Sequence, residues 1–494
     1  MSLRDRLKGL EGALREAPRN YSAQPLIRER GRVEFVEEFI VRVRGLPEAL
    51  FYELLEFEGN VRGIVVDLKG DELTAMLLEG QERVSIGSSV YRTGRVADVG
   101  VSEELLGRMV DPLGRPLDGR SAPRPRAFYQ VERDAPSLFD RDFVREQLHT
   151  GIKVIDTMFP IGKGQRELIL GDPSTGKTSV AVDTILNQKE KDVLCVYVAI
   201  GQRKQSIQEV YTALRDGGAL SYTVIVSASS DDPPSLQFLA PYAGTAIAEY
   251  FLDRGRDVLI VYDDLTKHAF AYQSISLLLK RPPSREAFPG DIFYVHSRLL
   301  ERACNLKEGG SITALPIVET QAGRIESYIP TNVISITDGQ IYLDSALFNV
   351  NQRPAVDVGK SVSRIGGKTQ IPALKEVSQH LRLYYAQFLE LEIFTRLGVR
   401  VFGETERIIR RGRRLRELLK QPKHRLYQVE EMVLIFFLLN EGFFDRVPEN
   451  RVSEEAEDIL ERVRRRSPDL LKRIRKEKVL TKELKEGIRE VVKG

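Results

Sequence analysis

Leucines at positions 3, 7, 10 and 14 recur at helical spacing with charges between them, which predicts a short amphipathic helix within the first 20 residues. Alone, so short a helix is marginal, and its apolar stripe needs a surface on this chain or on another protein. Pro18, Asn20 and Pro25 end the pattern. From Gly31 to about Val90 the texture changes to short β-rich runs at 39–43, 51–57, 61–68 and 72–78. Turn residues separate them (Gly45-Leu46-Pro47, Gly59-Asn60, Lys69-Gly70-Asp71). Five or six such strands in so short a segment imply a small closed barrel.

Between about 92 and 370, apolar runs alternate with helical stretches. The runs at 168–170, 193–200, 222–227, 258–262 and 311–318 are continuous rather than alternating. That suits parallel strands covered on both faces by crossover helices. Beyond about 371 only helical patterns remain, at 381–397, 404–419 and 429–440, with a last helix starting at Ser467-Pro468-Asp469. The expected layout is an N-terminal helix and linker (1–30), a β-barrel (31–91), an α/β phosphate-loop (RecA-like) nucleotide-binding core (92–370) and a C-terminal helical bundle (371–494).

Composition narrows the class. Apolar residues make up 42% of 494, enough for real cores, and 74 basic against 71 acidic side chains leave a net charge of only +3. Neither nucleic acid nor an anionic membrane is implied as the main partner. Cys195 and Cys304 are the only cysteines, and Cys195 lies in an apolar run, so no disulfide framework or metal knuckle is expected. No signal-like segment starts the chain, and the longest apolar run, 432–439, is too short to cross a bilayer. A soluble protein of a reducing compartment is expected, reaching a membrane only through partners.

The chemistry concentrates in Gly171-Asp172-Pro173-Ser174-Thr175-Gly176-Lys177-Thr178, a phosphate-gripping loop between an apolar run and a helical one. Backbone N–H groups and the helix N-terminus cradle phosphates, Lys177 reaches the β- and γ-phosphates, and the Thr178 hydroxyl ligates magnesium. Mg-ATP or Mg-ADP is the expected ligand. Pro173 removes one amide donor from the loop. The run 258–262 ends in Asp263-Asp264, by itself an ordinary turn. Beside the phosphate-loop strand it would bring a carboxylate, preferably that of Asp263, to the magnesium shell. After 193–200 comes Gln202, an amide where a carboxylate could have served as base, so binding with little or no turnover is expected.

Long segments now point to one family. Glu104-Leu105-Leu106-Gly107-Arg108, Arg281-Pro282-Pro283-Ser284-Arg285-Glu286 and Tyr328-Ile329-Pro330-Thr331-Asn332 resemble the alpha subunit of the F-type ATP synthase catalytic head, over about 31–444. The resemblance implies an alternating ring of three alpha and three catalytic beta subunits around a gamma shaft. It also implies peripheral-stalk contacts, for which the N-terminal leucine stripe is a candidate, and a place on the cytoplasmic face of a bacterial membrane beside a proton- or sodium-translocating sector. Alpha-type sites hold Mg-ATP without turning it over. Gln202 stands where beta has glutamate, which also separates the chain from flagellar and secretion ATPases. Within residues 359–366, Arg364 matches the arginine finger serving the neighbouring beta site, with Ser361 in the same loop. The family's adenine pocket maps onto Phe348, Arg353 and Gln421. The chain departs from the family at Pro173 and Ser174, at Lys423 where many relatives carry glutamine, and at Glu37-Glu38-Phe39-Ile40 in place of a Gly-Asp-Gly turn. Residues 358–370 resemble a divergent bacterial branch in which some ATPases pump sodium. The rival reading is a Rho-like hexameric nucleic-acid motor, superficially favoured by the arginines at 407, 410, 411, 413, 414 and 416. With Ile408, Ile409, Leu415, Leu418 and Leu419 between them, those arginines read instead as the solvated face of an amphipathic helix.

Overall fold

The computed structural model describes residues 29–396 and 402–493. The N-terminal leucine stripe lies outside the described residues.

The first unit is a closed antiparallel barrel. Its strands are β1 (Arg30–Glu37), β2 (Ile40–Arg44), β3 (Glu53–Phe57), β4 (Val61–Lys69), β5 (Glu72–Leu77) and β6 (Ser89–Val96), in the order β1-β2-β5-β4-β3-β6. Closure comes from β6, which pairs with both β1 and β3. Alternation puts Val33, Val41, Val43, Leu55, Val65 and Ala75 inside, each almost fully buried. The β1–β2 turn places Glu38 at φ 52°, a left-handed conformation that favours glycine.

The second unit begins at Ala97. Its eight-stranded sheet comprises β7 (Met109–Val110), β8 (Leu168–Gly171), β9 (Val193–Gln202), β10 (Thr223–Ser229), β11 (Asp257–Asp263), β12 (Ile312–Glu319), β13 (Gly339–Leu343) and β14 (Val362–Ser363). The order is β14-β13-β8-β12-β11-β9-β10-β7, parallel except for the antiparallel edge pair β13–β14. Strands β8 to β12 are buried along nearly their whole length, as continuous apolar runs predict. Helices α1 (Lys177–Leu186), α2 (Pro234–Leu252) and α3 (Leu265–Leu278) belong to this core. Gly244 lets α2 lie close on β9: a Cβ there would come within 2.4 Å of Val198.

The expectation that the strand ending in Asp263 lies beside the phosphate-loop strand is corrected. β12 pairs with both β8 and β11 and separates them. The run 311–318 was visible in the sequence, but its place in the order is a tertiary choice that no local pattern encodes.

From Pro372 the described chain is helical: α4 (Pro372–Ser378), α5 (Leu381–Arg396), α6 (Glu404–Leu419), α7 (Val429–Asn440), α8 (Val452–Arg466), α9 (Pro468–Glu477) and α10 (Lys482–Lys493). The helix starting at Pro468 is therefore not the last, and α10 follows it. α7 is buried almost all round, which accounts for the apolar run 432–439, and the Gln428–Glu431 capping box starts it. On α6, Ile409, Leu415, Leu418 and Leu419 are buried. Three of its arginines are not simply solvated. Arg414 donates to the carbonyls of Phe444 (2.7 Å) and Asp445 (2.9 Å), Arg416 pairs with Glu392 (3.0 Å), and Arg411 reaches Asn440 (3.2 Å). No helix among the described residues is long and apolar enough to cross a membrane.

Candidate functional site

β8 runs out at Gly171 and α1 starts at Lys177, so the loop between them lies at the carboxyl edge of the sheet, where parallel α/β folds gather ligands. Gly171 lies so close to β13 that a Cβ would meet the Leu343 carbonyl at 2.5 Å. Gly176 turns the chain into the helix at φ 99°, and Ser174 takes φ 64°. The Asp172 carboxylate braces the loop from behind, accepting from the Thr320 hydroxyl (2.6 Å), the Gly323 amide (2.9 Å) and the Ser345 hydroxyl (3.0 Å). Burial works against its charge, but these hydrogen bonds prevail and hold its pKa below the usual value.

A cavity of about 390 Å³ opens in front of the loop. At one end lie residues 174–178 with Gln202, Asp263 and Glu319, and at the other Phe348, Arg353, Gln421 and Lys423. Every residue expected from sequence to touch the nucleotide or metal lines it, except Gly171, Asp172 and Pro173, which form the back of the loop.

At the phosphate end, Lys177 is 5% exposed and its Nζ donates to the carbonyls of Gly171 (3.0 Å) and Asp172 (2.7 Å). Burial pushes its pKa down, against the pull of nearby carboxylates led by Glu319, whose oxygen is 3.8 Å away. An ammonium held there with only a long ion pair to Glu319 suits a multiply charged anion at the loop. Asp263 comes within reach despite the intervening strand, because Thr178 on the first turn of α1 bridges the gap: its hydroxyl donates to Asp263 Oδ2 at 2.7 Å. The same oxygen accepts from Tyr197 Oη at 2.7 Å. One hydroxyl and one carboxylate are hard oxygen donors that fit magnesium, which keeps most of its waters and takes few protein ligands.

The Gln202 amide is fully engaged. Its Nε2 donates to Asp263 Oδ1 (2.7 Å) and its Oε1 accepts from Lys267 Nζ (2.7 Å). Neither atom can remove a proton from water. Asp264, which caps α3 through the Lys267 amide (2.8 Å), is pushed up to about 7 by burial.

At the other end, the Arg353 guanidinium stacks over the Phe348 ring at 4.4 Å, a flat surface matched to a base. Gln421 is buried and spends its side chain on backbone, accepting from the Lys153 amide (3.0 Å) and donating to the Gly151 carbonyl (2.8 Å). It shapes this end without offering a free group. His424 donates its backbone amide to Asp183 (3.2 Å) and pairs with it through Nδ1 (2.8 Å).

Arg364 and Ser361 do not line the cavity. Arg364 follows the edge strand β14 and is exposed. Its main-chain amide is tied to the Asp338 carbonyl (3.0 Å), and its guanidinium makes one 3.4 Å contact with the Thr337 carbonyl. Ser361 is fully buried, its Oγ accepting from the Tyr342 amide (3.0 Å), so it pins the loop and is not itself presented. Glu319, Asp183, Tyr197 and Lys267 belong to no sequence motif, yet they line or brace the site. Glu319 ends an apolar run as Asp263 does, and that was its available signal.

Comparison with known proteins agrees with this arrangement. The ATP synthase alpha/beta family, nucleotide-binding domain, matches residues 151–363; its beta-barrel domain matches 26–94 and its C-terminal domain 370–494. ATP synthase subunit alpha 2 of Syntrophotalea carbinolica is 51% identical over 97% of this chain and 92% of its own length. ATP synthase subunit alpha 1 of Chlorobium luteolum is 51% identical over 95% and 92%. That of a Marinomonas species is 48% identical over 98% and 96%. With such identity along nearly its whole length, on a barrel, phosphate-loop core and helical region in the same order, the chain belongs to the F-type ATP synthase alpha-subunit family.

Proposed function

We propose that the chain is the non-catalytic alpha-type subunit of a rotary F-type ATP synthase or ATPase, holding Mg-ATP in its own cavity and lending Arg364 to the catalytic site of an adjacent beta subunit. One observation carries the first half: the position where a water-activating base would sit is Gln202, with both amide atoms already bonded. Lys177 and the loop amides would hold the triphosphate, Thr178 and Asp263 the magnesium, and Phe348 with Arg353 the base. Magnesium supplies charge neutralisation between the phosphates when bound. Ser361, clamped to β13, positions the loop from which Arg364 projects.

The second half is supported by exposure. A guanidinium outside its own chain's cavity, on a loop fixed at both the Ser361 side chain and the Arg364 amide, supports the reading that it serves another subunit. The partners are then beta subunits alternating with alpha in a three-plus-three ring, a gamma shaft and peripheral-stalk subunits. The whole would sit on the cytoplasmic face of a bacterial membrane and be coupled to proton or sodium flow. In the assembled ring, Arg364→Ala should lower steady-state ATP hydrolysis by roughly 10³-fold or more while leaving assembly intact. Near-normal turnover would remove the finger assignment. The isolated chain should bind Mg-ATP in equilibrium dialysis and release almost no phosphate from it.

A further inference from the structure

Two fully buried polar residues, Gln165 and Glu167, precede the phosphate-loop strand β8 and take no part in the nucleotide cavity. Their bonds lead elsewhere, to the strand that carries Arg364. That strand, β14, is an edge strand of two residues, so its ladder bonds alone hold it weakly. Ser363, its last residue, is fastened through Oγ, which donates to the Pro160 carbonyl (2.7 Å) and accepts from the Gly366 amide (3.3 Å). The third bond to this oxygen comes from Gln165 Nε2 at 3.2 Å.

β13 lies between β8 and β14, and the contact crosses it at Gly339. Gly339 pairs with Ser363, and Leu168 pairs with Gln340, which brings Glu167 level with Gly339. A Cβ on Gly339 would come within 2.5 Å of the Glu167 carboxyl, so a residue without a side chain keeps the passage open. Gln165 is held at both ends of its amide: Nε2 donates to Glu167 Oε2 (2.7 Å) and Oε1 accepts from the Gly162 amide (2.8 Å). Between them, Arg166 grips the Asp338 carboxylate (3.0 Å), and the Asp338 carbonyl accepts from the Arg364 amide (3.0 Å). Burial, then the neighbouring Asp338, push the Glu167 pKa well above its usual value, while Arg364 acts in the opposite direction. The neutral form of Glu167 is therefore favoured. An apolar pair would fill this space at lower cost than a buried amide and carboxyl.

The geometry points to Gln165, braced by Glu167, as a positioning residue for Arg364: it reaches across β13 at Gly339, fixes Ser363 and so sets how the guanidinium leaves the edge strand. This inference rests on the finger reading of Arg364. Gln165 itself touches no nucleotide.

The test is steady-state ATP hydrolysis by the assembled ring. Gln165→Leu should lower kcat at least tenfold with KM within about threefold, and leave ATP affinity of the isolated chain within about twofold. Glu167→Gln, which keeps a neutral acceptor in place, should stay within about threefold of the unsubstituted ring. In an Arg364→Ala background, Gln165→Leu should cause no further loss, because it acts only through the missing guanidinium. If Gln165→Leu does not assemble, Ser363→Ala removes the receiving oxygen and carries the same expectations. Near-normal kcat in these variants while Arg364→Ala collapses would overturn the proposal. So would a double variant slower than Arg364→Ala alone, which marks a merely structural role. Near-normal turnover in Arg364→Ala by itself defeats the finger reading, and is seen without touching Gln165.

Discussion

His268 and His296 show how burial fixes protonation at the scale of single residues. Both are fully buried, with His268 Nδ1 3.2 Å from His296 Nε2 and His268 Nε2 3.1 Å from the Phe238 carbonyl. The carbonyl accepts a hydrogen bond from His268 Nε2–H, so His268 Nδ1 accepts one from His296 Nε2–H and both rings are neutral. Burial pushes His296 down to about 4 and His268 well below its usual value. In the unfolded chain these rings take up protons below about pH 6.5. The folded state does not, so its stability is complete above that value and falls as pH drops from about 6.5 towards 4. The slope is about 1.4 kcal/mol per pH unit for each histidine. Urea midpoints measured between pH 7.5 and 5 should fall accordingly, and less steeply in His296→Gln.

At the scale of elements, the loop after β14 is governed by close approach. A Cβ on Gly366 would come within 1.5 Å of the Pro160 carbonyl, and Gly366 also donates to Ser363 Oγ (3.3 Å). Gly366→Ala should displace the segment that carries Arg364. Hydrolysis by the assembled ring should drop at least tenfold, while ATP affinity of the isolated chain, whose cavity lies elsewhere, stays within about twofold. Much at this scale was legible in advance. Continuous apolar runs marked β9 to β12, and the loop's glycines and lysine marked the turn before α1. What stayed hidden was order, because β12 entering between β8 and β11 depends on which crossover packs where. The arginines of α6 taught the same lesson. Their spacing placed them on one face, but the carbonyls that Arg414 caps belong to residues some 30 positions away.

At the scale of the whole second unit, the cavity exists because the helical region closes one end of it. Gln421 is the bolt: its main-chain N–H donates to the Arg353 carbonyl (2.8 Å), and its side chain joins Lys153 and Gly151, some 270 residues earlier. Gln421→Leu would strand these buried backbone groups at a cost of about 1–3 kcal/mol. Thermal unfolding should shift down by several degrees, and ATP affinity should weaken although no free group of Gln421 faces the ligand. The family resemblance located this residue in the sequence, whereas its structural duty emerged only from the contacts it makes.

The exposure of Arg364 has a consequence beyond its proposed role. An exposed side chain with one long carbonyl contact, whose charge also acts on the buried Glu167, contributes little to the folding of its own chain. Its loss would pass unnoticed by proteases and chaperones, which sense only exposed cores. On the role proposed for Arg364, a subunit carrying that lesion would be made, kept and built into finished particles, and the defect would surface only as a machine that turns over poorly.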